Sequence, residues 1–471
     1  MIERTLGEVA RATRGRVHGD PATVVDAVAT DSRQLPAGRP LFVALPGEHT
    51  DGHRFVAAAA AAGTAAALVQ AGALLPGSGH GTLPLVEVDD TWTALRDLAR
   101  SVRTAVTPTA VAITGSVGKT TVKDLTAAAV GAGRRVHAAT GSFNNELGVP
   151  LTLLGLDADT EVLVAEVGAR HVGDIADLAP LIAPDVAVVT AVAGVHLEVF
   201  GSVDAVARAK SELVAALGPG GLAVLNVDDA RVAAMAAAAP AVLRVGLESP
   251  AADVTARDVV LDRLARPTAT AVTPWGEVPV TLPLAGRHHV VNALLAIAVA
   301  GHLGVDVAAA AAALSTAAVS PWRAEVDDAG GVTVLNDAYN ANPTSVAAAL
   351  DTLVAIERTG RSWAVLGVMA EIGPTAAEEH HAIGRLCADL DVDEVVGVGP
   401  QAAAVVEGAR AGGLASDNAI GVPDARAAVA LVAERLAPGD VVLVKGSRVA
   451  GLEQVASDLV ATLTQREAGT S

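Results

Sequence analysis

Residues Thr114 to Thr121 read TGSVGKTT, between the apolar run TAVAIT and the helix-forming stretch TVKDLTAAAVGAG. Gly115 and Gly118 let the backbone wrap phosphate oxygens with its N–H groups. Lys119 adds a cation, and the Thr120 hydroxyl suits a Mg²⁺ ion. Ser116, Val117 and Thr121 complete the loop and the first helical turn. Strand, glycine turn, Lys-Thr and helix occur in the order a phosphate-binding loop requires, which predicts a nucleoside triphosphate site rather than a plain turn. A GTPase would also need a base-reading N-K-x-D, and no Asn in this chain is followed by Lys.

Three further residues suit a metal-assisted phosphoryl transfer. The run VLVAE ends in Glu166, where motor ATPases place an acid for Mg²⁺. His196 follows the run VAVVTAV, and Lys210 lies fourteen residues on in RAKSELV. Histidine is a less typical Mg²⁺ ligand than a carboxylate, and His196 taken alone reads more readily as a structural hydrogen-bonding group. Lys occurs only at 119, 123, 210 and 445 while the other twenty-nine basic residues are Arg, so each retained Lys is a candidate for a task Arg cannot perform. Six of the eight Asn, at 144, 145, 292, 336, 340 and 342, also fall inside motif segments.

The elements that must position these residues read as α/β throughout. Over 1–105, short apolar runs alternate with turns, a helix candidate at Phe55–Ala62, a loop at 74–84 and a helix near Thr91–Val106. Over 106–318, runs at 162–167, 186–192 and 222–227 separated by helical stretches predict a mainly parallel sheet covered on both faces. Residues 253–284 alternate like antiparallel strands, and Ala-rich helices from His289 close this part. Over 319–471 the runs VTVLNDAY, SWAVLGVM, DEVVGVG and DVVLVKGS each end in polar or glycine residues, where ligands of open α/β sheets collect. KGSR supplies two cations there, Lys445 and Arg448, suited to a carboxylate.

Composition sets outer bounds. A chain of 471 residues exceeds one hydrophobic core, so several domains are expected. Hydrophobic residues at 51% against 18% charged, with a mean hydropathy of +0.45, exclude a disordered chain. The most apolar stretch, Val290–Ser320, is mainly Ala with Asn292, His302 and Asp306, which predicts buried helices rather than a membrane span. The start MIERTLGEVARATRG lacks a signal-peptide apolar block, and the lone Cys387 makes no internal disulfide, so a cytoplasmic protein is expected. A net charge of −19 disfavours a nucleic-acid partner and limits phosphorylated ligands to places where a few cations converge.

Taken together, TDSRQLPAG with LFVALPGEHTDGHRF, TGSVGKTTVKD, FNNELGVP, EVGARHVGDI, HLEVFGS with ARAKSE, HHVVNALLAIA, PWR, NDAYNANPTS and KGSR resemble the Mur ligase family, ATP-dependent amide-bond synthetases of peptidoglycan precursor assembly. The resemblance covers essentially the whole chain. Within the family, YNANPTS is similar to members that add D-alanyl-D-alanine to a UDP-N-acetylmuramoyl-tripeptide; the D-N-P-R signature of the branch adding the third amino acid is absent.

The resemblance implies three α/β domains: 1–105 for the UDP end of the substrate, 106–318 for ATP in a central P-loop domain, and a Rossmann-like 319–471 for the incoming dipeptide. It implies that Lys119 and the loop backbone hold the ATP phosphates, with Thr120 on one of two Mg²⁺ ions. Glu166 and His196 would be ligands of the second, and Lys210 a carbamylated lysine serving the metal site. Asn292 would contact adenine, Arg323 phosphate and Asp337 ribose, with Asn340 beside it. Ser32 and Arg33 would face the uridine diphosphate, and Asn144 and Asn145 the central part of the substrate. One departure stands out: the family commonly shows G-D-M-x-E-L-G, and this chain has GVMAEIG, with Val368 at the acidic position. A folylpolyglutamate-type ligase and a non-catalytic nucleotide-binding scaffold are the alternatives, separated by which acceptor and amine stimulate phosphate release and by turnover itself.

Overall fold

The computed structural model describes residues 1–73 and 81–470, so residues 74–80 of the expected loop lie outside those described. Contacts divide the chain into two compact units. The first comprises Met1–Ala112, Arg134–Gly168 and Ala176–Asp185. Helix α1 (Leu6–Thr13) starts at a reciprocal cap, in which the Glu8 N–H donates to the Thr5 hydroxyl and the Thr5 N–H donates to the Glu8 carboxylate at 2.8 Å. Strands β1 (Arg16–His18), β2 (Ala27–Ala29), β3 (Pro40–Val43), β4 (Ala66–Gln70) and β5 (Leu85–Val88) form a sheet in the order β1-β5-β4-β3-β2. Only the β1–β5 pair is antiparallel.

All four residues of β3 are buried, as a strand covered on both faces requires. Helix α2 (Thr91–Val106), expected over the same residues, is capped by Asp90 and buries Leu95, Leu98 and Val102 along one stripe. Strand β6 (Thr109–Thr114) contributes its first four residues to this unit. Strands β7 (Val136–Ala138) and β8 (Val162–Glu166) pair in parallel, and β8 is buried along its whole length up to Glu166.

The second unit comprises Ile113–Gly133, Ala169–Ile175 and Val186–Ser471. Helix α3 (Lys119–Gly131) follows the phosphate loop. Strands β9 (Val186–Val189), β10 (Leu222–Asn226) and β11 (Ala241–Val245) are parallel neighbours in that order, with helix α4 (Val203–Ala215) between β9 and β10 in the chain. The alternating segment 253–284 forms the antiparallel meander β12 (Thr255–Leu261), β13 (Pro267–Thr273) and β14 (Gly276–Thr281). The Ala-rich stretch forms α5 (His289–His302) and α6 (Val307–Leu314). Among the described residues, no helix is long and apolar enough to cross a membrane.

The remaining strands are β15 (Glu325–Ala329), β16 (Val332–Asn336), β17 (Ser362–Leu366), β18 (Glu394–Val398), β19 (Ala419–Val422) and β20 (Val441–Lys445), ordered β15-β16-β20-β17-β18-β19. β15 is the antiparallel edge, and its polar sequence EVDDA carries too weak an apolar pattern to be read as a strand. Along β17, Ala364 and Leu366 enter one core while Trp363 and Val365 enter the other, so period-two alternation packs both faces. Cys387 lies in the first of these cores, and burial pushes its thiol up to about 12. It is a packing residue. The Ser320 N–H donates to the Asp124 carboxylate at 2.8 Å, which fixes the chain entering this last sheet to α3.

Candidate active site

The phosphate loop is shaped by contacts that tolerate little but glycine. Gly115 has φ +149°, and a Cβ there would lie 1.9 Å from the Thr190 hydroxyl. Gly118 has φ +81°, and its Cβ would meet the Asn292 side-chain oxygen at 3.1 Å. The segment after β9 pins the loop: the Thr190 hydroxyl donates to the Val117 carbonyl at 2.5 Å, the Ser116 N–H to the Ala191 carbonyl at 2.7 Å, and the Ser116 hydroxyl to the Ala193 carbonyl at 3.1 Å. Lys119 donates from Nζ to the Gly115 carbonyl at 2.8 Å. Helix α3 begins at Gly118 without a side-chain cap, the arrangement in which an anion can accept from the first N–H groups.

A Gly118→Ala variant forces an L-residue into the left-handed region at a cost of roughly 1–2 kcal/mol, and its methyl crowds Asn292. Lower thermal stability together with weaker ATP binding is expected, and thermal melts with ATP titrations on the same variant check both. An unchanged melting temperature and affinity would refute this account of the loop.

Arg323 reaches the same loop. Its Nη2 donates to the Thr120 hydroxyl at 2.9 Å, and its guanidinium lies 3.9 Å from the Tyr339 ring centroid. The residues on either side, Trp322 at φ 61° and Ala324 at φ 50°, hold left-handed conformations that cost energy unless the surroundings fix them. Asn292, in the first turns of α5, is buried and its Nδ2 lies 3.1 Å from His289 Nδ1. Asp337 accepts from the Ala324 N–H at 3.1 Å and from Lys445 Nζ at 2.5 Å. Lys445 also donates to the Asn340 carbonyl at 2.9 Å. Arg448 pairs with Glu453 at 2.7 Å and stacks over Trp322 at 4.7 Å. The structure therefore gathers Arg323, Asp337, Asn340 and Lys445 along one chain of contacts, in which buried Lys445 braces the loop after β16.

In the first unit, Glu166 is 1% exposed at the end of β8, and Asn144 Nδ2 donates to its carboxylate at 2.7 Å. Asn145 instead accepts from the Gly148 N–H at 2.9 Å, just ahead of the short helix Gly148–Leu154. Arg33, 85% exposed, pairs with Asp31 at 2.7 Å and by that hydrogen bond holds the Asp31 carboxyl down at about 2. Ser32 is half-buried on the same turn. No hydrogen bond among the described residues joins Ser32 or Arg33 to Asn144 or Asn145.

In the second unit, His196 adopts φ 51° and opens the single turn Leu197–Phe200. Its Nδ1 is hydrogen-bonded to the Glu371 carboxylate. Burial pushes the imidazole below its ordinary range. Glu371 works against that shift, while the charges of Lys119 and Lys210 add to it. Lys210 is 2% exposed within α4. Among the described residues, no group of three or more His, Cys, Asp and Glu side chains is arranged to hold a metal.

Three neighbours escaped the reading of motifs. Thr190 closes an apolar run and was visible only as a polar strand end. Arg170 lies in EVGARHVGDI and donates to Glu371 at 3.0 Å. Glu371 lies in GVMAEIG, where attention falls on Val368; the Val368 carbonyl accepts from the Ser447 N–H at 2.9 Å.

A P-loop with an arginine on its threonine, set among α/β sheets, defines a protein class that handles a nucleoside triphosphate. Three family models narrow the class in chain order: the Mur ligase family catalytic domain at 24–103, the Mur ligase middle domain at 113–300 and the Mur ligase glutamate ligase domain at 322–448. The chain belongs to the Mur ligase family, ATP-dependent ligases that form amide bonds. It is 43% identical to the UDP-N-acetylmuramoyl-tripeptide--D-alanyl-D-alanine ligase of Mycobacterium tuberculosis, over 98% of each chain. Among solved structures, MurF from Acinetobacter baumannii is 31% identical with a TM-score of 0.85, covering 98% of this chain and 99% of that one. MurF from Thermotoga maritima in complex with ADP is 26% identical with a TM-score of 0.80, covering 93% and 98%.

Proposed function

We propose that this protein joins D-alanyl-D-alanine to UDP-N-acetylmuramoyl-tripeptide at the expense of ATP, giving the UDP-linked pentapeptide for peptidoglycan. The observation that carries the reading is the end-to-end likeness to ligases of that name, with the phosphate loop and its arginine in place. A carboxylate does not exchange its oxygen for an amine unaided, because oxide is too poor a leaving group. The terminal carboxylate of the tripeptide takes the γ-phosphoryl group, the bond to the β-phosphate oxygen breaks and ADP leaves. The dipeptide amine then attacks the acyl carbon, the bond to the phosphate oxygen breaks, and phosphate and one proton depart.

Lys119 and the first N–H groups of α3 hold the phosphates, and positioning with charge stabilisation supplies the rate. Arg323, in the bend just before β15, adds a second cation. Asn292 and Asp337, with Asn340, hold adenine and ribose. Ser32 and Arg33 take the uridine diphosphate, Asn144 and Asn145 the middle of the substrate, and Lys445 and Arg448 a substrate carboxylate. The working division is 1–105 for the UDP substrate, 106–318 for ATP and 319–471 for the dipeptide.

The donor set fits a hard cation. Thr120 and Glu166 offer oxygens, and an imidazole pushed towards neutrality at His196 is free to ligate. These residues, with carbamylated Lys210, would hold Mg²⁺, which offsets charge on the transferring phosphoryl group when bound. ATP and a UDP-linked precursor as substrates put the reaction in the cytoplasm. The test is incubation with ATP, Mg²⁺, the UDP-linked tripeptide and D-alanyl-D-alanine, read by mass spectrometry. Pentapeptide and one phosphate per ligation are expected; phosphate release without the pentapeptide, or no turnover, would refute the assignment.

A further inference from the structure

We propose that Glu371 is a positioning residue that fixes the His196 imidazole so that Nε2 is the nitrogen presented to a divalent cation. The inference rests on the reading of His196 as a metal ligand. Which ring nitrogen can ligate is set by the hydrogen bond the other one makes. Here Nδ1 is committed to the Glu371 carboxylate. A carboxylate only accepts, so Nδ1 carries the hydrogen and Nε2 keeps its lone pair.

The carboxylate is itself held from both sides. One oxygen faces His196, and the other accepts from Arg170 Nη2 at 3.0 Å. The Arg170–Glu371 pair is well exposed and contributes little stability on its own, so its effect is to orient the carboxylate.

The backbone supports the same reading. His196 at φ 51° and Glu371 at φ 61° are both non-glycine residues in the left-handed region, a conformation that persists only where the surroundings impose it. The two loops meet backbone to backbone. The Glu198 N–H donates to the Glu371 carbonyl at 3.4 Å, and a Cβ on Gly373 would lie 3.2 Å from the Glu198 backbone. Glu371 belongs to the segment matched by the glutamate ligase domain, and His196 to that matched by the middle domain. His196 is therefore oriented only while those two segments are together, which ties cation binding to the placement of the last sheet.

The full-length protein tests this with two readouts. In the metal-free state, ¹⁵N spectra of the histidine rings, with the His196 signals assigned by their loss in His196→Ala, should show hydrogen on Nδ1. Glu371→Ala should shift the ring towards the other tautomer, and Glu371→Gln, whose amide oxygen still accepts, should restore it. Mn²⁺ titration followed by electron paramagnetic resonance in the presence of ADP should show affinity falling about 10–100-fold in Glu371→Ala, the range for outer-shell partners, and recovering in Glu371→Gln. Arg170→Ala should move both readouts the same way by less, and it reports even where Glu371→Ala does not fold.

Wild-type tautomer and Mn²⁺ affinity in Glu371→Ala, beside lost Mn²⁺ binding in His196→Ala, would overturn the positioning role and leave the metal reading intact. Unchanged Mn²⁺ affinity in His196→Ala would overturn both.

Discussion

Replacing Lys119 with alanine is expected to lower kcat/KM for ATP on the order of 10³-fold, within the range measured when a cation serving a transferring phosphoryl group is removed. Lys119 lies in the first turn of α3 and folds over the Gly115 carbonyl, within the loop that would receive the phosphates. A half-buried side chain at a helix start contributes modestly to folding, so the variant should melt close to the parent. The measurements are steady-state phosphate release, ATP binding and a thermal melt on one preparation. Near-normal turnover would contradict the assigned loop. An unfolded variant would show instead that the lysine braces the loop, and Lys119→Met, which keeps the length without the charge, would then carry the test.

Lys210→Ala is the second large effect. Once the ammonium has lost one proton, carbamylation joins the neutral amine nitrogen to CO₂ with release of a second, so a cation becomes an anion, and guanidinium has no equivalent reaction. Such a reaction would account for a lysine at this place in a chain with four lysines among thirty-three basic residues. Ligation should fall at least about 10²-fold, beyond the 10–100-fold typical of residues that act on a metal through another. A small added carboxylate should restore part of it by occupying the vacated space. Lys210→Arg should fail equally and gain less from the added acid, because the long cation still fills the site. Full activity in untreated Lys210→Ala would remove the carbamate; loss without any rescue would leave Lys210 as a structural residue of α4, where it is 2% exposed.

Much of the site was legible because its chemistry is local. TGSVGKTT would act through backbone N–H groups and side chains within one turn, so its spacing is readable without the fold. The same holds for Asn342, which caps the helix Pro343–Ala355 through the Ser345 N–H at 2.9 Å, in the NANPTS stretch that singles out the family branch. Edge strand β15 was not legible, since EVDDA gains its place from pairing with β16 and not from its own pattern. Lys445 shows a different limit. KGSR reads as two cations offered to a substrate, and only the folded chain shows that Lys445 also donates to the Asp337 carboxylate and the Asn340 carbonyl.

The amino-acid sequence by itself determined the phosphate loop, the α/β alternation and the family, because each depends on residues near one another along the chain. Only the tertiary structure decided which distant side chains meet: Arg323 on Thr120, Thr190 against Gly115, and Glu371 between Arg170 and His196. Such meetings depend on strand order and on backbone conformations such as the left-handed turns at His196 and Glu371, which packing imposes and no local preference of histidine or glutamate announces.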